Sequence, residues 1–262
     1  MNCKNCTLEI NEKDSFCKAC GAEIIKKRIT LKSLFSNLLI ALGWDSNFFI
    51  TLRHLIYQPQ IVLEEYINGT RKKYANPFSF FAIITAISLF TFSQYSEKFI
   101  QMSTDLRLQQ TEVTETSLTD KENEAKALQI LGFESAHEFQ EFQLKYYNIF
   151  SFIFLPMYTL IAFFVFGKPY NFGEHLVINT YLQSITTFLG FLLFLFSLLF
   201  EINMFGTGVM ILPVFFYSFA YTKLYKLTFG KLVLKILKFV GVFIILMIIA
   251  IFIGFLSEVM NH

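Results

Sequence analysis

The chain has 262 residues, of which 54% are hydrophobic and 18% aromatic, and it contains 34 phenylalanines. This composition excludes an ordinary soluble domain and indicates that lipid is the solvent for much of the chain. The formal net charge of +2 is too small to favour nucleic acid as a partner. The first thirty residues are polar and charged. We therefore expect no cleaved signal peptide and an amino terminus that remains in the mature protein.

All four cysteines lie at the amino terminus. Cys3-Lys-Asn-Cys6 and Cys17-Lys-Ala-Cys20 form two C-x2-C knuckles separated by ten residues. Zn²⁺ prefers four tetrahedral thiolates at about 2.3 Å, and a C-x2-C turn lets two sulfurs of one short loop reach the same ion. A segment this small cannot build an adequate apolar core, so the metal would supply most of its folding free energy, on the order of 10 kcal/mol. The pattern predicts a structural zinc ion in a zinc ribbon over residues 1–25.

Three other interpretations of the cysteines are weaker. Two disulfides would suit a secreted miniprotein, but the segment lacks an export signal and is followed by basic residues, which favours a reducing compartment. Redox C-x2-C pairs usually begin a helix of a thioredoxin-like unit, and twenty residues cannot contain such a unit. Catalytic zinc needs an open coordination position, which four thiolates do not leave.

Five stretches without Asp, Glu, Lys or Arg follow, and each is long enough to cross a hydrocarbon core of about 30 Å as a helix. They are residues 77–96, 146–167, 175–200, 202–222 and 239–257. The fourth contains Gly206, Gly208 and Pro213, so a re-entrant segment is the alternative to a helical hairpin with the third. The predicted fold class is an all-α polytopic membrane protein of about five transmembrane helices, with a transmembrane domain over residues 77–258.

The distribution of basic residues predicts the orientation in the membrane. Residues 1–76 hold eleven Lys and Arg, whereas residues 97–145 hold five basic against ten acidic residues. Because cytoplasmic segments carry the excess of Lys and Arg, we expect a cytoplasmic amino terminus and an extracytoplasmic insert at 97–145. Five spans then place the lysine-rich stretch 223–238 inside and the carboxyl terminus outside.

The region before the first span, residues 26–76, is predicted to form short amphipathic helices on the cytoplasmic side. Apolar residues recur there at helical spacing, and Trp44 stands where an interfacial ring would lie. Pro59 begins one of these helices, which ends at Asn68-Gly69. We expect the helices to lie in the membrane interface, with a small soluble helical domain as the alternative.

Two capping signals occur in the insert at 97–145. Thr119-x-x-Glu122 and Ser135-x-x-Glu138 have the spacing of capping boxes that open helices. The second is expected to begin a helix that runs into the second span.

One stretch carries a resemblance to a known family. It reads Thr51-Leu-Arg-His-Leu-Ile-Tyr-Gln-Pro59, followed by Glu65-Tyr-Ile-Asn-Gly69-Thr-Arg71-Lys-Lys-Tyr74-Ala-Asn-Pro77. The elements T-L-x-x-L-x-x-x-P and Y-x-x-G-x-R-x-x-Y-x-x-P, with a zinc ribbon before them and hydrophobic spans after them, resemble an uncharacterised family of bacterial membrane proteins known as a domain of unknown function. The resemblance covers about the first ninety residues. It implies this architecture and a location in the bacterial inner membrane, and it implies no activity.

The second element also has a physical interpretation. Arg71, Lys72 and Lys73 are expected to meet anionic lipid headgroups, at about 1 kcal/mol each. Asn76-Pro77 is expected to cap and begin the first span, because proline lacks the donor that the first turn of a helix leaves unpaired. The alternative is a binding site for a lipid headgroup or a phosphate, with Arg71 as a bidentate group.

Polar side chains inside the spans are few. Four of them share one face of the third span: His175, Asn179, Gln183 and Thr186. Interhelical hydrogen bonds, worth about 0.6 kcal/mol apiece, explain them, with a polar substrate path as the alternative. No H-E-x-x-H, Walker loop, G-x-G-x-x-G or Ser-His-Asp set occurs, so no enzyme is indicated.

Two hypotheses for the function remain. The favoured one is a scaffold or regulatory membrane protein whose cytoplasmic zinc ribbon engages a protein partner, with Lys4, Lys13 and Lys18 available to acidic groups. The alternative is a small transporter or lipid-handling protein built around the polar face of the third span.

Overall fold

The computed structural model describes residues 2–11, 14–22, 24, 30, 46–113, 126, 128–129 and 132–261. The chain divides into two compact units, Met1–Leu42 and Gly43–His262. The first contains the cysteines, and we call its described residues the ribbon unit. The second, which we call the helical unit, contains every helix named below.

The described part of the helical unit consists of seven helices and no β-strand. They are α1 (Ser46–Tyr57), α2 (Pro59–Ile67), α3 (Pro77–Val113), α4 (Ala136–Phe166), α5 (Phe172–Phe200), α6 (Met204–Tyr225) and α7 (Phe229–Asn261). Four helical segments in the described residues are long and apolar enough to cross a membrane: Pro77–Leu106 of α3, Ile149–Phe166 of α4, and the whole of α5 and α6. Each overlaps one of the first four predicted spans.

The fifth predicted span, residues 239–257, falls within α7. The side chains from residue 249 onward lie outside the described part of the chain, so the fifth span stays a prediction. The capping signal at Thr119 also lies outside the described residues, as does most of the amphipathic stretch around Trp44.

The beginnings of two helices confirm what the local sequence predicts. Asn76 Oδ1 accepts hydrogen bonds from the backbone N–H groups of Phe78 at 3.0 Å and Ser79 at 3.4 Å, and α3 begins at Pro77. Ser135 Oγ likewise accepts the N–H of Glu138 at 3.2 Å, and α4 begins at the next residue. Side-chain oxygens thus satisfy donors that a helix start leaves unpaired.

Helix α4 continues without a break from this cap to Phe166, although Pro156 lies within it. Helix α6 is likewise continuous through Pro213, which fits the helical hairpin rather than the re-entrant alternative. A Cβ atom on Gly208 would lie 2.4 Å from Leu193 Cδ1, so the absence of a side chain lets α6 approach α5 closely.

Helix α3 extends well beyond the predicted end of the first span at residue 96 and reaches Val113. Phe99 and Ile100 explain the extension, because both are buried in an aromatic cluster with Phe194 and Phe205. The segment expected to form a separate insert therefore begins as a continuation of the first membrane helix.

Helices α1 and α2 pack against the bundle. Helix α1 contacts α5, and α2 contacts both α5 and α6. Leu55, Val62 and Leu63 are fully buried in the main hydrophobic core, together with Phe80 and Tyr181 of the longer helices. Protein therefore covers part of the apolar surface that the sequence assigns to the membrane interface.

Helix α5 lies at the centre of the bundle and packs against α3, α4 and α6, while α7 packs against α4 and α6. This arrangement surrounds the polar face of α5 with other helices.

Candidate functional site

The two knuckles bring the four cysteine sulfurs together. The Sγ atoms of Cys3 and Cys20 are 3.7 Å apart, those of Cys6 and Cys17 are 3.6 Å apart, and all four lie within 4.8 Å of one another. A tetrahedral ion with metal–sulfur bonds of 2.3 Å requires sulfur–sulfur distances of about 3.8 Å. A disulfide would need about 2.05 Å, and all four residues are free thiols. The cluster therefore has the geometry to hold a metal ion.

The backbone explains why the two knuckles converge. The N–H of Cys3 donates to the Leu8 carbonyl at 2.8 Å, and the N–H of Cys17 donates to the Ala22 carbonyl at 2.9 Å. These bonds occupy equivalent positions fourteen residues apart, so each knuckle closes in the same way. The repetition of one local turn presents two pairs of sulfurs to a common centre.

Each knuckle turns on a residue with a left-handed backbone. Thr7 has φ of 63° and Gly21 has φ of 68°, and their N–H groups donate to the carbonyls of Cys3 at 2.8 Å and Cys17 at 2.9 Å. Glycine adopts this conformation without steric cost, whereas a β-branched residue rarely does. The first knuckle therefore carries local strain that the second does not.

Hydrogen-bond donors surround two of the sulfurs. The Asn5 side chain, with a smaller contribution from the backbone N–H of Ala22, lowers the pKa of Cys20 to about 6. The backbone N–H groups of Cys20 and Ala19 lower the pKa of Cys17. Donors of this kind favour the thiolate, which is the form that binds metal. The surroundings of Cys17 and Cys20 thus favour the form of the sulfur that binds metal.

Cys6 differs from these two cysteines. The backbone N–H of Leu8 lowers its pKa, but hydrogen bonds with the Cys20 and Cys17 thiols, together with burial, outweigh that effect and raise the pKa to about 12. Binding of a metal by all four sulfurs would require Cys6 to lose its proton as well.

The outer surface of the ribbon unit is partly apolar. The exposed fractions are 57% for Phe16 and 49% for Leu8, and Lys4 and Lys18 are exposed as well. Lys13, the third lysine predicted to face a partner, lies outside the described residues. Aromatic residues are enriched at the centre of protein interfaces, and charged residues lie mainly at the rim.

The two sequence elements before the first span pack together. Thr51 Oγ1 donates to the Asn47 carbonyl at 2.6 Å and accepts the N–H of Ala75 at 2.9 Å. The Tyr181 hydroxyl of α5 donates to the Ala75 carbonyl at 2.6 Å. Both backbone groups of Ala75 are thereby satisfied inside the core. This threonine and tyrosine fix the start of α3 against α1 and α5.

Glu65 joins α2 to the same connection. Its carboxylate accepts hydrogen bonds from Lys73 Nζ at 2.6 Å and from the Tyr74 hydroxyl at 2.7 Å. The Lys73 ammonium, and next the Tyr74 hydroxyl, lower the pKa of Glu65, while the same carboxylate raises the pKa of Lys73. These two hydrogen bonds connect the loop that precedes α3 to α2.

The predicted headgroup residues therefore have different surroundings. Arg71, Lys72 and Lys73 are all exposed, but Lys73 is paired with Glu65. The Arg71 guanidinium lies 5.9 Å from the centre of the Tyr66 ring, within the range of a cation–π contact. Binding of a headgroup or a phosphate by these residues stays a prediction.

The polar face of α5 meets a row of tyrosines on α6. Three of its side chains each approach one hydroxyl: Gln183 Oε1 is 3.3 Å from Tyr217, Asn179 Oδ1 is 3.3 Å from Tyr221, and His175 Nε2 is 3.2 Å from Tyr225. We call Tyr217, Tyr221 and Tyr225 the tyrosine ladder. Their rings stack with centroid separations of 6.4 Å and 5.9 Å. In the sequence, the signal for the ladder is one tyrosine every four residues.

The residues at the two ends of the polar face, His175 and Thr186, contact backbone carbonyls. Thr186 Oγ1 donates to the carbonyls of its own helix, at 3.1 Å from Leu182 and 3.0 Å from Gln183. His175 Nε2 lies 3.2 Å from the Gly167 carbonyl, to which the Tyr225 hydroxyl also donates at 3.1 Å. The face thus makes the contacts that interhelical hydrogen bonding would need, and a substrate path along it stays a prediction.

Residues 45–89 match a family described as "Protein of unknown function (DUF3667)". The matched segment contains α1, α2, both sequence elements and the first third of α3, and it excludes the four cysteines. Comparison with curated proteins and with solved structures finds no match. The match supports an uncharacterised domain family for the part of the chain that Thr51, Glu65 and Tyr74 hold together.

Proposed function

We propose that this protein is a membrane-embedded scaffold or regulatory protein whose zinc ribbon, residues 1–25, engages a cytoplasmic protein partner. The observation that supports it best is the cluster of four thiols within 4.8 Å, which belongs to a compact unit separate from the helices. Four thiolates give a closed zinc shell, which stabilises a fold and leaves no position for catalysis. The unit then serves as a rigid surface.

The surface of the ribbon unit has features that favour a protein partner. Phe16 and Leu8 expose apolar side chains, and Lys4 and Lys18 supply positive charge. Interfaces place an aromatic residue at the centre and charges at the rim. The partner surface is therefore expected to combine an apolar pocket with acidic groups.

The membrane placement is part of the proposal. Five spans within residues 77–258 would put the ribbon and residues 26–76 in the cytoplasm of a bacterium, and residues 97–145 and the carboxyl terminus outside the inner membrane. The four long apolar helices and the excess of basic residues before residue 77 support this topology. A reporter fused after His262 should give an extracytoplasmic signal, whereas a cytoplasmic signal would contradict five spans.

Site-specific photo-cross-linking tests the function. A photoreactive phenylalanine analogue at position 16 of the full-length protein should form a discrete adduct in cells, and Cys17→Ser should abolish it because the ribbon loses its metal shell. The same analogue at Tyr57, an exposed residue of α1, is the control, and its adducts should not change with Cys17→Ser. Adducts at position 16 that survive Cys17→Ser, or none in the wild type, would contradict the proposal.

A further inference from the structure

A cavity of about 720 Å³ lies within the helical unit. Its walls come chiefly from α4 and α6, with Asn179 and Gln183 of α5 and a short stretch of α7 from Leu232 to Val240. Cavities that hold small ligands measure about 300–1,000 Å³. The space is therefore large enough for a ligand.

The shape of this cavity suits a chain. Its lining residues on α4 run from Phe139 to Phe166, which at 1.5 Å per residue is about 40 Å. A bilayer has a hydrocarbon core of about 30 Å, so the cavity follows the membrane depth of the helix. The lining is mostly aromatic and aliphatic, as an acyl chain requires.

The wall formed by α6 also opens toward the surroundings of the bundle. Met210 and Val214 line the cavity, yet their exposed fractions are 72% and 57%. In a membrane, exposed apolar residues at this depth face lipid. The cavity is therefore open on the side of α6 that would face the bilayer.

One end of the cavity carries positive charge. Lys235 of α7 lines it, donates a hydrogen bond to the Val165 carbonyl near the end of α4, and lies with Nζ 5.5 Å from the centre of the Phe166 ring. Among the described residues no carboxylate pairs with it. Lys231 and Lys238 stand four residues before and three residues after it, on the same face of α7. A half-buried cation beside an apolar channel complements an anionic headgroup.

We propose that this cavity binds one anionic membrane phospholipid, with an acyl chain between α4 and α6 and the phosphate at Lys235. The apolar channel favours an acyl chain, and Lys235 at its end favours a negatively charged headgroup. This lipid site is independent of the zinc ribbon and goes beyond the function proposed above.

Competitive lipid binding to the purified full-length protein tests the site. The protein is delipidated in detergent, supplied with equal amounts of phosphatidylglycerol and phosphatidylcholine, and examined by native mass spectrometry. The wild type should retain about one phosphatidylglycerol per chain, with a preference of about tenfold, as expected for one added charge contact. Lys235→Gln should reduce the preference to near unity, and Lys235→Arg should keep it.

Matched controls separate this site from general effects. Lys231→Gln removes an exposed charge from the same face of α7 without touching the cavity, so the preference should remain. Met210→Trp should fill the channel and lower retention of both lipids, whereas Ile211→Trp, at an exposed neighbour outside the cavity, should not. Helical circular dichroism confirms that each variant is folded.

Several results would overturn the proposal. Equal retention of the two lipids by the wild type would show that the cavity does not select for headgroup charge. An equal loss of preference in Lys231→Gln and Lys235→Gln would assign it to the surface of α7 as a whole. A dimer that dissociates in Met210→Trp but not in Ile211→Trp would show that a second copy of the chain fills the cavity. If Lys235→Arg loses the preference while staying folded, the phosphate contact is wrong.

Discussion

Different forces stabilise the ribbon unit and the helical unit. The buried core of the ribbon unit consists of Cys3, Ile10 and Cys17, which is too little apolar area to stabilise a fold without further support. The main core of the helical unit is a cluster with residues from all of α1 to α6, and it contains buried rings such as Phe80 and Tyr181. We therefore expect that loss of a metal from the ribbon unit would leave the helical unit folded. Packing defects in the helical unit should likewise leave metal binding by the ribbon unit unchanged.

The largest expected effect comes from removing the metal. Replacing Cys17 with Ser in the full-length protein should abolish binding of one zinc per chain and unfold the ribbon unit, because the metal supplies on the order of 10 kcal/mol to a segment with so small a core. The thermal midpoint of the helical unit in detergent should remain unchanged. Metal analysis and circular dichroism of the wild type and the variant provide the measurement.

Lys18→Ser is the matched control, since it changes the neighbouring exposed residue and should keep the zinc. Loss of helical structure in Cys17→Ser would show that the two units depend on each other. A wild type without zinc, after expression in zinc-supplemented medium, would contradict the metal site itself.

The contrast between the units also explains how much could be predicted from the sequence. The cysteine spacing alone predicts that the four thiols come together, because few arrangements place four thiols so close along the chain, and the structure brings those sulfurs within 4.8 Å of one another. Asn76 and Ser135 were predicted as caps for a similar reason, since each acts on a backbone group within three residues. Local chemistry of this kind can be recognised without a fold.

Contacts between distant segments could not be predicted in this way. The role of Tyr181 depends on a carbonyl 106 residues earlier in the chain, and the tyrosine ladder depends on the pairing of α5 with α6. The extension of α3 depends on Phe99 meeting rings from two other helices. Hydrophobic periodicity indicates that a helix will be covered, but it does not indicate whether lipid or protein covers it.

The next largest effect should be confined to the helical unit. Tyr181→Phe removes the hydroxyl that donates to the Ala75 carbonyl at 2.6 Å, and it leaves that buried acceptor without a partner. The expected loss is about 1–3 kcal/mol of unfolding free energy, measured by denaturant titration in detergent. Tyr217→Phe is the control, because its hydroxyl makes longer bonds of 3.3 and 3.4 Å and should cost less.

Zinc content should stay at one per chain in both tyrosine variants. A Tyr181→Phe protein as stable as the wild type would show that the Ala75 carbonyl finds another donor. A drop in zinc content would break the distinction between the two units.

A smaller effect should be confined to the ribbon unit. Thr7→Gly relieves a β-branched residue with φ of 63°, so it should stabilise the zinc-bound ribbon by about 0.5–1 kcal/mol. Gly21→Ala is the reciprocal change at the equivalent turn, and it should destabilise by a similar amount. A Cβ there meets no atom within 4 Å, so only the backbone conformation is tested. Competition for zinc with a chelator gives the relative affinities of the wild type and the two variants. Equal zinc affinities for all three proteins would contradict backbone strain at Thr7.

The smallest expected effect concerns pH and the ion pair of the helical unit. Lys73, followed by Tyr74, lowers the pKa of Glu65 in the folded state. A carboxyl with a depressed folded pKa contributes stability above its unfolded pKa, and that contribution is lost as the pH falls through the folded value. The thermal midpoint of the wild-type helical unit should therefore fall between about pH 5 and pH 3 more steeply than that of Glu65→Gln, whose side chain does not ionise.

Glu64→Gln, at the neighbouring position of α2, is the control and should follow the wild type. Because acid would also release any zinc from the ribbon unit, the measurement must follow a helical signal rather than metal content. Parallel curves for the wild type and Glu65→Gln would show that solvent screens the pair and that packing alone secures the loop before α3.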